Sequence, residues 1–195
     1  NNTTLSLYHT DTDLGTESTG VLLKTDLYNS SILLGYSNEE GGFLGSKSDA
    51  AFSKSTSTPT NFISHNFNKS INDRLHLLSL FSAGYTSIDG FQKSLVEDMS
   101  DIYSSSWGIN LMYEGIKENI YSLSISQPHR VEQGSANFLL PKNNSLDGSL
   151  NFETHRVNLE PSGREINLSF KIDKIFNETS KISLENIITN NYMHN

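Results

Sequence analysis

The chain contains no cysteine. Disulfides and thiolate metal sites are therefore excluded, and a segment without thiols can cross an oxidising compartment unfolded without a premature cross-link trapping it. Lys and Arg total 14 against 22 Asp and Glu, for a formal net charge of −8, and no basic run occurs anywhere. Nucleic acid and anionic membrane surfaces would be repelled, so neither is expected as a partner. No stretch of about 18 apolar residues is present, which excludes a membrane-spanning helix. Hydrophobic residues make up only 35% of the chain, too little for a thick core covered on both sides. Also missing are a G-x-S-x-G elbow, a Gly-rich phosphate loop and an H-E-x-x-H pair. No catalytic, cofactor-binding or metal-binding residue is assigned, and the chain is read as non-enzymatic. It opens on "NNTTLSLYHTDTD", with neither an initiator Met nor a signal-peptide pattern, and is expected to be a piece of a larger protein.

Small polar residues alternating with apolar ones fill much of the sequence. Such period-two patterning is the signal of a strand with one buried and one wet face. "SWGINLMY" puts Trp107, Ile109, Leu111 and Tyr113 on one face, "NIYSLSIS" puts Tyr121, Leu123 and Ile125 there, and "REINLSFKI" does the same for Ile166, Leu168, Phe170 and Ile172. Shorter, less regular strands are read from "TTLSLYH", "GVLLKTD", "SILLGYS" and "NFISHNF". "DRLHLLSLFSAGYTS" is assigned to a strand because Tyr85 and Thr86 favour one, whereas "FQKSLVEDMSDIY" is the one place for a short helix. Asp147-Gly148 and "EPSGRE" carry hairpin-turn chemistry. Strand signals recur at intervals of roughly 10 to 20 residues, the rhythm of a sandwich or barrel. The expected fold is all-β, an antiparallel meander forming a β-barrel or partial barrel, with few or no helices. At this length the prior is a single domain over residues 1–195.

Two patterns invite a chemical reading. Asp11 and Asp13 in "HTDTDLG" have the spacing of a calcium loop, but the third acid and the distal Glu of that loop are missing, and a solvated loop is the expectation. Of the four arginines, three lie late in the chain, as Arg130, Arg156 and Arg164, accompanied by Glu132 and Glu165. Bidentate Arg–Glu pairs there would fix strand register; a solvated face with no pairing is the alternative.

"SISQPHRVEQGSANFLLP", followed after a spacer by "VNLEPSGREINLSFKI", resembles the C-terminal region of autotransporter-like, subtilisin-like serine proteases of alphaproteobacteria. Ser126, Gln127, Pro128, Arg130 and Val131 match its first motif, and Pro161, Ser162, Gly163, Arg164 and Glu165 its second. Gly134, Pro141 and Leu159 agree between them, and His129 stands where the family usually has Leu. The match is specific from about Ser124 to Ile172. In that family the protease precedes this region, and its catalytic motifs have no counterpart here, so no catalytic residue is carried over. The resemblance implies that the ten motif residues are a structural framework. It further implies a non-catalytic outer-membrane β-barrel domain that anchors or exports an N-terminal protease passenger of the same precursor. Its partners would be that passenger and outer-membrane lipid, and its place the outer membrane or cell surface of a Gram-negative bacterium. A secreted, soluble β accessory domain that assists folding, docking or surface binding of the protease is the alternative. Since the family continues with one more alternating strand, the chain is expected to lack its last strand.

Overall fold

Alternation at period two becomes fourteen strands, with no α-helix among the described residues. The structure is a computed structural model that describes residues 2–11, 17–40, 42–43, 46–47, 57–88, 95–116, 119–144, 149–177 and 180–191. In chain order the strands are β1 (Asn2–Asp11), β2 (Glu17–Leu27), β3 (Ser30–Glu40), β4 (Gly42–Phe43), β5 (Ser46–Lys47), β6 (Thr58–Asn72) and β7 (Leu75–Thr86). They continue as β8 (Val96–Met99), β9 (Ile102–Glu114), β10 (Asn119–Gln133), β11 (Ser135–Asn144), β12 (Leu150–Asn158), β13 (Ile166–Asn177) and β14 (Ser180–Asn190). Nine of them form one antiparallel sheet in the order β1-β2-β3-β6-β7-β9-β10-β13-β14, and β12-β11-β8 form a second, three-stranded sheet. The fold is all-β and antiparallel, and the nine-stranded sheet is open, with β1 and β14 at its edges.

Several details differ from the sequence-based expectation. The early strands are not short, since β1, β2 and β3 reach 10, 11 and 11 residues. Within "FQKSLVEDMSDIY" the described residues form β8 and the start of β9 rather than a helix. Val96 and Met99 are drawn into pairing with β11, opposite Phe138 and Ala136, and this tertiary pairing decides the local structure. "EPSGRE" does not close a hairpin: β12 pairs with β11 and β13 with β10 and β14, so the segment carries the chain from one sheet to the other. Asp13 and the Asp147-Gly148 turn lie outside the described residues.

The two faces of the large sheet differ sharply. On one, apolar side chains line up across neighbouring strands, as in the row Leu5, Leu23, Leu34, Ile63 and the row Leu77, Leu111, Leu123, Phe170. Most of these are exposed, Leu5 at 66% and Leu123 at 49%. The other face is richer in Ser, Thr, Asn and Gly, although Leu22, Leu33, Phe62, Leu78 and Leu80 also lie on it, and hydroxyls meet across strands in the pairs Ser18–Ser37, Thr60–Thr86, Ser82–Ser106 and Ser124–Ser169 at 2.7–3.1 Å. Along β10, apolar Tyr121, Leu123 and Ile125 are exposed while Ser122, Ser124 and Ser126 between them are half-buried. A flat, uncovered sheet would expose both faces equally, so this difference means that the sheet curls with its polar face inside.

Two rings of this face lie against glycines of the adjacent strand. A Cβ built at Gly35 would come within 2.1 Å of the Phe62 ring, and one at Gly20 within 2.4 Å of the Tyr8 ring. Each glycine gives up a side chain so that an aromatic from the adjacent strand can lie flat over its backbone. Gly35→Ala is expected to destabilise by about 1–2 kcal/mol through this overlap. Adding Phe62→Ala should recover part of the loss, which denaturant titration of the single and double variants will show.

Only four apolar side chains are buried among the described residues, namely Ile88, Val96, Ile102 and Ala136. They belong to the end of the large sheet where β8 and β11 join it. A Cβ on Gly134 would stand 3.1 Å from Ile102. Of the four buried side chains, only Ile102 belongs to a strand of the nine-stranded sheet.

Candidate functional site

β10 pairs with β13 as far as Ser126–Asn167 and with β9 onward to Gln133–Tyr103. Beyond Ser126 the two strands part, and the chain between them builds the β11–β12 hairpin. Register with β9 shifts between Gln127 and Arg130, and Pro128 occupies that shift. Proline has no N–H, so inside a sheet it sits at bulges and edges. Here it falls where β13 has already left, and no ladder bond is sacrificed.

In the wedge so opened, the two motifs that are 30 residues apart in sequence come together. The Arg130 guanidinium, 6% exposed, donates from Nη2 to the carbonyl oxygen of Pro161 at 2.8 Å, from Nη1 to that of Val131 at 3.3 Å and from Nε to that of Gly163 at 3.4 Å. It also pairs with Glu132 Oε2 at 2.5 Å and Glu160 Oε1 at 3.4 Å. Arg164 grips the same Glu132 with both arms, Nη2 to Oε2 at 2.8 Å and Nη1 to Oε1 at 3.1 Å, the bidentate geometry that a planar guanidinium favours. Gln127 is 2% exposed. Its Oε1 accepts from Trp107 Nε1 at 3.2 Å and from Arg164 Nη1, and its Nε2 donates to Ser105 Oγ at 3.3 Å. The cluster is thus a saturated clamp in which each buried polar group has a partner.

Of the ten motif residues, Gln127, Arg130, Val131, Pro161, Gly163 and Arg164 take part directly, through side chain or carbonyl. Ser126 closes the β10–β13 ladder opposite Asn167, and Ser162 is exposed on the crossing segment. Glu165 accepts from Asn167 Nδ2 at 3.2 Å, outside the clamp. Arg156 also lies apart, donating to Ser135 Oγ at 3.1 Å. Ser105 and Glu160 complete the clamp without having been singled out from the sequence. Ser105 shows itself only once the register places it opposite Arg130, and Glu160 only once the crossing segment folds back.

Burial opposes ionisation of Glu132. The Ser105 hydroxyl, 2.6 Å away, and the guanidiniums of Arg164 and Arg130 outweigh it and lower the carboxyl from 4.5 to about 2. A carboxyl depressed in the folded state stabilises the fold fully above its unfolded value, and that contribution is lost as pH falls through the folded one. Stability is therefore expected to drop between about pH 4.5 and pH 2. Glu132→Gln should flatten this part of a plot of denaturant midpoint against pH.

No family model, curated protein or solved structure matches the chain. The clamp offers neither an activated nucleophile nor an unpaired base, and its chemistry is that of fixing one backbone segment against another. No group of three or more His, Asp or Glu able to hold a metal occurs among the described residues. The second candidate surface is the apolar face of the wall, where exposed apolar side chains are contiguous across neighbouring strands rather than scattered singly.

Proposed function

We propose that the chain is a non-catalytic, outer-membrane β-barrel domain that anchors or exports a passenger joined to it. The single observation that carries this reading is the inverted polarity of the wall, apolar outside and polar inside, with almost no buried apolar core. In water such a sheet exposes its hydrophobic surface without return, whereas in lipid the same face is solvated and the polar face lines an interior. All nine strands of the wall have at least ten residues, enough for the nine to eleven that a tilted membrane strand needs. On β10 the stretch paired on both sides is the eight residues Asn119–Ser126, one fewer than that range, and the clamp lies at and beyond its end.

Connection lengths support the same reading. At one end of the wall the links are 28–29, 73–74, 115–118 and 178–179; at the other they are 12–16, 41–57, 87–101 and 134–165. Short turns on the periplasmic side and long connections outside are the habit of such barrels. Aromatics gather toward both ends, Tyr113 and Tyr121 near the short turns and Tyr85, Tyr103 and Trp107 toward the long connections. β1 starts at the short-turn end, so a passenger preceding it would join there. The resemblance makes that passenger a subtilisin-like protease.

Refolding in the presence and absence of detergent, with lipids brominated along their chains as quenchers, tests the proposal. Trp107 is the only tryptophan and shares the apolar face with Phe81 and Ile109. Folding that depends on detergent or lipid is the expected result, with Trp107, one rung beyond Gly108–Ser126, quenched most by bromines nearest the headgroups. Cooperative refolding in plain buffer with unquenched Trp107 would instead favour a soluble accessory domain.

A further inference from the structure

β12 is the outer strand of the three-stranded sheet, and among the described residues no strand pairs with its far edge. It is exposed along its whole length, with Leu150 at 54%, Phe152 at 50% and Val157 at 45%. Alternate residues of such a strand direct their N–H and C=O away from the neighbour they already have. Edges of this kind are usually blunted by proline, lysine or a bulge. β12 contains neither proline nor lysine, and its register with β11 runs unbroken from Asn158 to Phe152.

Phe152, Thr154 and Arg156 share one face of β12, and Glu153 and His155 the other. Along one strand Phe152 and Arg156 stand about 13 Å apart and cannot meet. An antiparallel copy of the strand, related by a two-fold axis at Thr154, sets Phe152 opposite Arg156, Glu153 opposite His155 and Thr154 opposite itself. A guanidinium then reaches an aromatic ring and an imidazole N–H reaches a carboxylate, each twice. Glu153, bridged to Lys142 at 2.7 Å, still exposes 46% of its side chain for this. Moving the axis to Glu153 would set two carboxylates face to face, which is destabilising, and moving it to His155 would leave Glu153 opposite Val157. Only the axis at Thr154 gives every charged side chain of the strand a complement.

We propose that β12 is a dimerisation edge, which pairs antiparallel with β12 of a second copy of this chain about an axis at Thr154. The two three-stranded sheets then form one sheet in the order β8-β11-β12-β12-β11-β8. Main-chain hydrogen bonds supply the attraction, and the side-chain pairs fix register and partner. The clamp ties the segment that follows β12 to β10, so the edge is presented with little ordering left to lose on association. A foreign extended segment would meet the same backbone groups without the reciprocal placement of Phe152 with Arg156 and of Glu153 with His155. The inference concerns the second sheet and does not rest on what surrounds the wall.

The test uses the full chain, folded in whichever medium supports it. Light scattering is expected to show the protein mass rising from monomer to dimer with concentration. Glu153→Lys sets a lysine opposite His155, and His155→Glu sets two carboxylates opposite each other; each should weaken the dimer about tenfold or more, since the pair occurs twice. Combined, the two changes restore opposite charges in the same register and should recover most of the affinity. Because the chain has no cysteine, single introduced thiols report the geometry. Across the axis Cα atoms lie about 4.5–5.5 Å apart, within the span of a disulfide. Thr154→Cys should therefore cross-link under mild oxidation, and Phe152→Cys, exposed but facing Arg156, should not. A protein that stays monomeric up to millimolar concentration, a combined variant no better than the single ones, or equal cross-linking at both positions would overturn the proposal.

Discussion

Arg130→Met is expected to destabilise the protein by about 3 kcal/mol, the scale for removing one partner of a buried, hydrogen-bonded charge pair. The loss comes from the groups that the guanidinium leaves behind rather than from the strength of any one bond. Its five contacts end on the carbonyls of Val131, Pro161 and Gly163 and on the carboxylates of Glu132 and Glu160. Met fills much of the volume and donates to none of them. Arg130→Lys keeps the charge, but a single ammonium cannot serve carbonyls and carboxylates in several directions at once, and about half of the loss should remain. Lys142→Met is the control, because Lys142 is 61% exposed and pairs with Glu153 at 2.7 Å, a surface bridge contributing less than about 1 kcal/mol. Denaturant titration of the three variants decides the matter. If Arg130→Met falls no further than the control, the clamp does not hold the crossing segment.

The clamp supplies local order in a place where the wall has none of its own. β10 and β13 separate at Ser126–Asn167, and although β10 stays paired with β9 to Gln133, the returning segment 159–165 has no strand partner of its own among the described residues. Arg130 ties the returning segment to β10 through its backbone carbonyls, and Arg164 ties it again through Glu132. Arg130→Met combined with Glu132→Gln should therefore destabilise less than the sum of the single changes, since both remove the same pair.

The wall was legible in the sequence because its physics is local. Alternation over Trp107–Tyr113, Tyr121–Ile125 and Ile166–Ile172 marks both the strands and the shared apolar face, and β7 could be assigned as a strand from Tyr85 and Thr86. β8 was not legible, because its four residues become a strand only through pairing with β11, a contact between segments some 40 residues apart. The role of "EPSGRE" was obscured for a related reason. Its Pro, Ser and Gly serve a tight turn and an irregular crossing equally well, and only the partners of β12 and β13 distinguish the two. Of the clamp, the arginines and Glu132 stand out as rare charges in a Ser- and Asn-rich chain, while Ser105 is one serine among many until the register places it opposite Arg130. Period two says that two faces exist and not which of them is inside. The distinction between an apolar core and an apolar exterior came from exposure, in Leu5, Leu34, Leu123 and Leu184 standing uncovered.

That distinction gives the sharpest test of where the protein resides. Leu123→Arg is expected to destabilise the folded protein in lipid by about 2–4 kcal/mol, the effect of a cation on the lipid face near the bilayer midplane. Leu123 stands in the row between Leu111 and Phe170, well inside the paired part of the wall, and an arginine there cannot reach water without distorting the bilayer. Two residues nearer the short turns, Tyr121 faces Tyr113, with their ring centroids 6.4 Å apart. Tyr113→Arg sits close enough to the rim for its guanidinium to extend into the headgroups, and its effect should fall to about 0–1 kcal/mol. A water-exposed sheet predicts no such gradient, because both side chains would already stand in solvent, where substitutions usually change stability by less than about 0.5 kcal/mol. Urea titration of the two variants in phospholipid vesicles, compared with the parent chain, separates the cases. A steep dependence on depth supports lipid against the apolar face, and equal, small effects at both positions would place that face in water.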